Sequence, residues 1–298
     1  MNQTEKYLKL GLIGLSNSTK FGSWFHGHVG AEIITNTFFI IESGVTKNVQ
    51  NSIIKRIEFI LNSKSQFFEC DNVNSSEASS IEEIENQLEE NIHNLSTAGH
   101  GVIYGTLALK AIKKLNGWLP KEIKTGIIKL QKDAYENDFP NRYFDYKDYQ
   151  NEIIDLSNIP QFNTPKEAAK YCVLNQKYFE NQKIEGTHYF FHANQLHDIT
   201  HSQALLMLEK LGYENLLQPG LEQLRKQIKL GQSQPPKGTP YIGKTQINPF
   251  HVQFWERKVN DEHHNKLAYS ISYLIKNLEG INESEVLSNV SGHWELMN

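Results

Sequence analysis

The apolar residues of this chain recur with the 3.6-residue period of α-helices, and no segment shows the strict alternation of a β-strand. Residues 25–41 are apolar nearly all round, which predicts a buried helix, whereas residues 48–61 keep a polar face and predict an amphipathic helix packed on it. Thr164, Pro165 and Glu167 give an N-cap, an N1 proline and an N3 carboxylate in register. We therefore expect an all-α fold.

Further helices are expected after a capping box of Ser80 and Glu83, from Ala98 to Gly117, and over residues 122–135, 187–211, 215–230 and 250–278. Residues 62–78 and 136–163 read as loops. Residues 231–249 are rich in proline and glycine, and they predict a long loop that could serve as a lid. No fixed repeat is found, so residues 1–298 are expected to form a single multi-helix bundle.

Composition excludes several classes of protein. The 298 residues are 39% hydrophobic and 21% charged, as in a globular chain, and the formal net charge of -4 lacks the basic footprint of a nucleic-acid binder. No apolar run is long enough for a membrane helix, and the N-terminus has no secretory signal pattern. With only Cys70 and Cys172, the chain fits a reducing compartment. We expect a cytoplasmic protein that binds neither nucleic acid nor membrane.

Histidine is the unusual residue, with twelve copies against four arginines. Four of them stand inside apolar helices or near their starts, namely His26, His100, His197 and His263. Imidazole is the commonest metal ligand and changes charge near neutral pH, so convergence of these four in one cavity would make a metal or proton-transfer site. The alternative for each is an ordinary core histidine or a helix cap.

Two further pairs, His188 with His192 and His197 with His201, have the i,i+4 spacing that places two rings on one helix face. On one continuous helix the two pairs would lie nearly opposite each other, so they could not share an ion. No glutamate separates either pair, which excludes the His-Glu-x-x-His pattern of metalloproteases. Exposed or core histidines remain the alternative.

Charged residues near these histidines could assist them. Glu32 lies in an apolar stretch, where a carboxylate is expected to pair with a cation, to orient an imidazole or to act as a base with a raised pKa. Asp261, His263 and Lys266 form a charged cluster, in which Asp261 could orient an imidazole or simply face solvent at a helix start. The GxGxxG, GxxxxGK[ST] and GxSxG motifs are all missing, which disfavours a Rossmann-bound NAD or FAD.

Four segments in order resemble the questin oxidase-like family, which includes fungal enzymes of aromatic polyketide metabolism. The matching residues are His26, Gly27, Ala31 and Glu32 in the first segment, His100 and Gly101 in the second, His197, Thr200, Ala204 and Leu205 in the third, and Asp261, His263 and Lys266 in the fourth. The chain departs from the family pattern at Phe25, His28 and Asn260.

The resemblance implies an all-helical oxidoreductase of the Baeyer–Villiger type, which inserts oxygen into a small aromatic substrate with NADPH as the reductant. Its implied catalytic residues are His26, Glu32, His100, His197 and His263. The four histidines would either bind iron, copper, manganese or zinc, or position a reduced aromatic substrate that reacts with O2 itself. In the second case a histidine or Glu32 would remove a phenolic proton.

Three other functions remain open from the sequence. The first is a small-molecule binder without turnover, in which the histidines hydrogen-bond an aromatic ligand. The second is a helical toroid enzyme resembling the lanthionine-synthetase-like proteins, although Cys70 and Cys172 do not lie in the matching motifs. The third is a helical scaffold for protein partners, which would be expected to contain repeats.

Overall fold

The computed structural model describes residues 2–70, 79–233, 240, 241, 243, 245–259 and 261–297. In this part of the chain twelve α-helices confirm the predicted all-α bundle. They are α1 (Gln3–Asn17), α2 (Gly27–Glu42), α3 (Lys47–Ser63), α4 (Glu82–His93), α5 (His100–Lys114), α6 (Lys121–Glu136), α7 (Pro165–Leu174), α8 (Phe191–Leu211), α9 (Leu217–Gly231), α10 (Val252–Trp255), α11 (His263–Asn277) and α12 (Glu283–Leu296). No helix among the described residues is both long enough and apolar enough to cross a membrane.

The described residues also form four short strands: β1 (Tyr178–Phe179), β2 (Gln182–Ile184), β3 (Thr187–Tyr189) and β4 (Pro240–Tyr241). β1 pairs antiparallel with β4, and β2 forms a hairpin with β3. The hairpin turns at Glu185 and Gly186, which both have positive φ, as a type I′ turn requires. The helix predicted to begin at residue 187 is therefore wrong over its first turn, because β3 occupies residues 187–189.

The central helices approach one another closely. A Cβ atom at Gly30 of α2 would lie 2.2 Å from the backbone nitrogen of Leu15 and 2.6 Å from the carbonyl oxygen of Gly11, so only glycine allows α1 and α2 to pack at this distance. On its other side α2 contacts α5 and α11, and α8 contacts both of these helices. As a result α2, α5, α8 and α11 surround one interior region.

Most predicted helix boundaries agree with the structure to within a few residues. The cap at Thr164 is confirmed, because its Oγ1 accepts a hydrogen bond from the Glu167 backbone N–H at 3.2 Å. The capping box at Ser80 is not formed as expected, since Ser80 Oγ accepts from the Glu82 N–H and the carboxylate of Glu83 pairs with Lys124. The expected helix over residues 250–278 is divided into α10 and α11, and α12 was not predicted at all.

The proline- and glycine-rich stretch 231–249 lies partly outside the described residues. Its described part is attached to the C-terminal helix: the Ile247 N–H donates to Ser291 Oγ at 2.8 Å, and the Tyr241 hydroxyl donates to Glu295 at 2.9 Å. That this loop acts as a lid stays a prediction.

Candidate metal centre

Four buried histidines meet in the region enclosed by α2, α5, α8 and α11. They are His28, His100, His197 and His263, and one ring nitrogen of each lies within 4.8 Å of the corresponding nitrogens of the other three. His100 and His263 are the first residues of α5 and α11, and His28 is the second residue of α2. The site is thus assembled from three helix N-termini and the first half of α8.

The structure brings together three of the four histidines selected from the sequence, and its fourth member is His28 rather than His26. His26 is half-buried and packs its ring against Phe67, with ring centroids 5.5 Å apart. The chain makes a 3-10 turn over Trp24–His26 before α2 begins, and a step of two residues along a helix rotates the side chain by about 200°. His28 therefore points inward where His26 points away.

Hydrogen bonds fix the tautomers of three of these rings. Nδ1 of His28 is 2.6 Å from the carbonyl oxygen of Phe25, Nδ1 of His100 bonds the carbonyl oxygen of Thr97, and Nδ1 of His263 is 2.7 Å from Asp261 Oδ1. A carbonyl or carboxylate oxygen can only accept, so each Nδ1 carries the proton. In the neutral rings each Nε2 is left with its lone pair, as in metal-ligating histidines whose second nitrogen is held by the protein.

The Nε2 atoms face one another at short range. His28 Nε2 is 2.9 Å from His263 Nε2 and 3.0 Å from His100 Nε2. The His197 ring packs against His100 and His263, with ring centroids 4.4 Å and 4.9 Å apart, and neither of its nitrogens makes a well-formed hydrogen bond within the described part of the chain. The carbonyl of Ala193 lies near enough to favour its protonated form. The centre therefore concentrates nitrogen lone pairs in a buried space.

Burial is the main cause of the electrostatics of the centre. It lowers the pKa of His28, His100, His197 and His263, because an imidazolium loses its hydration in the interior. The nearby positive charge of Lys266 lowers each pKa further, while Asp261 partly offsets the effect on His263. Neutral imidazoles are the form that binds metal ions.

The turn before α5 has a strained backbone, and this backbone positions a hydrogen-bond acceptor for His100. Thr97 and Ala98 have φ of 48° and 51°, which is unusual for residues with a Cβ, and Gly99 follows at 80°. A Cβ at Gly99 would lie 2.7 Å from Nδ1 of His201, so this turn packs directly on α8. The strained backbone places the Thr97 carbonyl where His100 Nδ1 can donate to it.

Glu32 lies one turn after His28 on α2, but it is not among the four clustered groups. Its Oε1 accepts hydrogen bonds from Arg56 Nε at 3.1 Å and from Asn265 Nδ2 at 2.5 Å. Burial raises the pKa of Glu32, and Arg56 partly offsets that shift. The structure thus places Glu32 in a buried ion pair that joins α2, α3 and α11, one of the roles expected from the sequence.

Two groups beside the histidines were not selected as site residues from the sequence. The Tyr104 hydroxyl lies 2.8 Å from His28 Nδ1. The Lys266 ammonium is fully buried without a hydrogen-bond partner among the described residues, and burial lowers its pKa to about 7. Lys266 was noted as part of a charged cluster and as a residue of the fourth matching segment, but not as a site residue. Tyr104 gave no signal because its contact joins α5 to α2 across 76 residues.

A cavity of about 740 Å³ lies beside the centre, and its lining includes three of the four histidines, His100, His197 and His263. Its walls carry several large apolar side chains, namely Trp24, Phe25, Phe139, Tyr189, Phe190, Val259 and Met297. Arg142 contributes a positive charge, and its guanidinium is held by Asp138 and lies over the Trp24 ring at 5.7 Å. A volume of this size and a mainly apolar lining with a few polar groups are typical of small-molecule pockets.

The predicted i,i+4 pairs do not form metal sites. His188 lies on β3 and His192 on α8, so the two rings are not on one helix, although both line the cavity. His192 Nδ1 lies 2.8 Å from Asn181 Oδ1. Of the second pair, His197 belongs to the centre and His201 bonds Gln227 at 2.9 Å.

No family model, curated protein or solved structure matches this chain. The resemblance to the questin oxidase-like family stays a prediction.

Proposed function

We propose that this protein is an oxidoreductase that oxidises or oxygenates a small aromatic substrate at a transition-metal ion bound by His28, His100, His197 and His263. The observation that carries the proposal is the convergence of buried imidazole nitrogens with no donor between them. The cavity beside them supplies the substrate site.

The nitrogen lone pairs that face one another at the centre repel each other unless a positive charge lies between them. His28 Nε2 faces both His263 Nε2 and His100 Nε2, and the Nδ1 protons of all three rings are already donated to other groups. One added proton on Nε2 would point at one neighbour and leave the second contact without a donor. A metal ion accepts lone pairs from all of the rings at once, so it resolves the repulsion that a single proton leaves.

The nitrogen spacing fits such an ion. Metal–nitrogen bonds of about 2.0–2.1 Å place the nitrogens of a tetrahedral site about 3.3 Å apart. The two shortest separations are 2.9 Å and 3.0 Å, and all four ligand atoms lie within 4.8 Å of one another, so the observed range brackets the required value.

The donor set indicates which metals are suited to the centre. Imidazole ligands suit iron, copper, zinc and nickel, whereas manganese prefers oxygen ligands, which the four clustered groups do not supply. Oxidation and reduction require a metal that changes its valence, so iron or copper is the proposed occupant. When bound, it supplies the activation of O2 that the side chains of the protein do not provide.

The residues of this chain bind and orient the substrate in the proposed reaction. Trp24, Phe25 and Phe139 provide flat apolar surfaces, and Arg142 attracts a phenolate or carboxylate on the ring. Because His100, His197 and His263 belong to the lining of the cavity, a ring bound there would lie beside the residues that hold the metal. Insertion of one oxygen atom from O2 reduces the other to water with two electrons, which NADPH, expected from the family resemblance, would supply.

The test is metal analysis of the untagged protein, followed by O2 uptake with a hydroxyanthraquinone and NADPH. We expect about one equivalent of iron or copper per chain, and O2 uptake that needs both the metal and the substrate. Zinc alone, with no O2 uptake after reloading with iron or copper, would refute the oxidoreductase and leave a zinc protein. A metal-free protein that does not take up added metal would refute the centre itself.

A further inference from the structure

A second cavity, of about 460 Å³, lies on the other side of α8 from the candidate metal centre. It is formed where the C-terminal ends of α7 and α9 meet the first half of α8, and it shares no lining residue with the aromatic cavity. Two consecutive residues of α8 line different cavities: His197 lines the cavity beside the metal centre, and Asp198 lines the second cavity.

Two acceptor oxygens in this cavity lack donors. Asp198 is 7% exposed, its Oδ1 accepts from Gln227 Nε2 at 3.1 Å, and no donor among the described residues reaches its Oδ2. Gln195 is 6% exposed, and its Nε2 donates to the Gly231 carbonyl at 3.3 Å, which leaves Oε1 buried without a partner in the described chain. Gln195 Oε1 is thus a buried polar atom without a partner in the described chain, which is unusual, and Asp198 Oδ2 is a second acceptor in the same cavity, so together they indicate a ligand that donates.

The surrounding backbone favours a positive ligand. α7 ends at Leu174 and α9 ends at Gly231, and both residues line the cavity. The C-terminal end of a helix carries a partial negative charge, so two such ends beside a carboxyl group attract a cation. Lys177 is the one basic side chain on the described lining, and it is exposed to solvent, which screens its charge.

We propose that this cavity binds a small organic cation, an amine or guanidinium compound whose N–H groups donate to Asp198 Oδ2 and Gln195 Oε1. Tyr171, Phe179 and Ile228 on the same lining cover the apolar part of the ligand. The proposal is independent of the metal centre, because the two cavities share no residue.

Gly231 offers a way to close the cavity. A Cβ atom at this position would lie 3.7 Å from Asp198 Oδ2 and 3.9 Å from Gln195 Cγ, which is ordinary contact. A leucine there would extend into the space next to both acceptors without a clash at its Cβ. Gly231→Leu is therefore a blocking variant, and Asp198→Asn is a charge-removing variant that keeps an oxygen for Gln227.

The experiment compares butylguanidinium with butylurea, which has nearly the same shape but no charge, by calorimetric titration of the full chain. The titrations are run at pH about 9, well above the usual pKa of a carboxyl group, where the guanidinium keeps its charge. Circular dichroism and thermal melting check that each variant is folded.

We expect the wild-type protein to bind butylguanidinium at least tenfold more tightly than butylurea, and Asp198→Asn to abolish this difference. Gly231→Leu is expected to lose binding of both compounds. If butylguanidinium binds the wild-type protein no more tightly than butylurea, or binds Asp198→Asn equally well, the proposal is overturned. The wild-type comparison decides the matter even if a variant fails to fold, and an unchanged metal content in Asp198→Asn separates this result from the fate of the metal centre.

Discussion

Replacement of His28 is the sharpest test of the metal centre. The sequence predicted His26 as a metal ligand, whereas the structure places His28, two residues further along the chain, among the four clustered histidines. His28 Nε2 lies within 3.0 Å of two other ligand nitrogens, so it occupies the middle of the set. Removing a residue that hydrogen-bonds to a metal ligand typically lowers metal affinity by about 10–100-fold. Removing the ligand His28 itself is therefore expected to lower the affinity by about 100-fold or more. Glutamine keeps a polar side chain but carries no basic nitrogen, which makes His28→Gln the variant and His26→Gln its matched control.

The size of the effect follows from binding linkage. A metal that binds only the folded state stabilises it by RT ln(1 + [L]/Kd), about 4 kcal/mol when free metal is at 1,000 times Kd. At the same free metal a 100-fold weaker site gains only about 1.4 kcal/mol. Urea unfolding with and without Zn²⁺, used here as a redox-inert probe, measures the difference directly. His26→Gln is expected to keep the full gain of the wild-type protein.

Two results would refute this reasoning. One is a His28→Gln protein that Zn²⁺ stabilises as strongly as the wild type. The other is a His26→Gln protein that loses the stabilisation while remaining folded without metal. Either would mean that the four nitrogens which converge in the structure are not the ligands.

Three further predictions test the tautomers, the packing and the buried histidines. Tyr104→Phe should lower Zn²⁺ affinity less than tenfold, because a backbone carbonyl still holds Nδ1 of His28; a loss as large as that of a ligand would show that the hydroxyl fixes the tautomer. Gly30→Ala should reduce the free energy of unfolding by about 2 kcal/mol or more, since its Cβ would lie 2.2 Å from the Leu15 nitrogen, and an unchanged urea midpoint would contradict this packing. Burial lowers the pKa of His201 to about 4, so the unfolded state binds more protons below about pH 6.5 and stability falls from there towards pH 4. Urea unfolding at a series of pH values measures this loss. Between pH 6.5 and 4 the free energy of unfolding of His201→Gln should fall less than that of the wild type, by at most about 3 kcal/mol.

The sequence predicted the helices well where local chemistry decides them. The cap at Thr164 and the buried helix, predicted over residues 25–41 and observed as α2, follow from side chains within a few positions of each other. The β2–β3 hairpin was not predicted. Its turn requires positive φ at Glu185 and Gly186, and Glu-Gly is a weaker signal for such a turn than Asn-Gly or Asp-Gly. The sequence pattern also joined α10 to α11, which the structure separates.

At the candidate site the sequence predicted three of the four clustered histidines and missed His28. His100, His197 and His263 could be selected because each stands in or at the start of an apolar helix, and that position implies burial. The choice between His26 and His28 depends on where α2 begins after the 3-10 turn and on which of its sides packs against α5 and α11. No local pattern contains those contacts.

The sequence by itself determined the helical class and the supply of histidines, because both depend on residue type and on spacing of a few residues. Only the tertiary structure decided that four imidazoles meet with their lone pairs facing inward, and that an aromatic cavity opens beside them. It also decided that Asp198 faces a separate cavity while its neighbour His197 faces the centre. These features depend on contacts between helices that are far apart in the chain, and the packing of side chains at those contacts fixes which face of each helix turns inward.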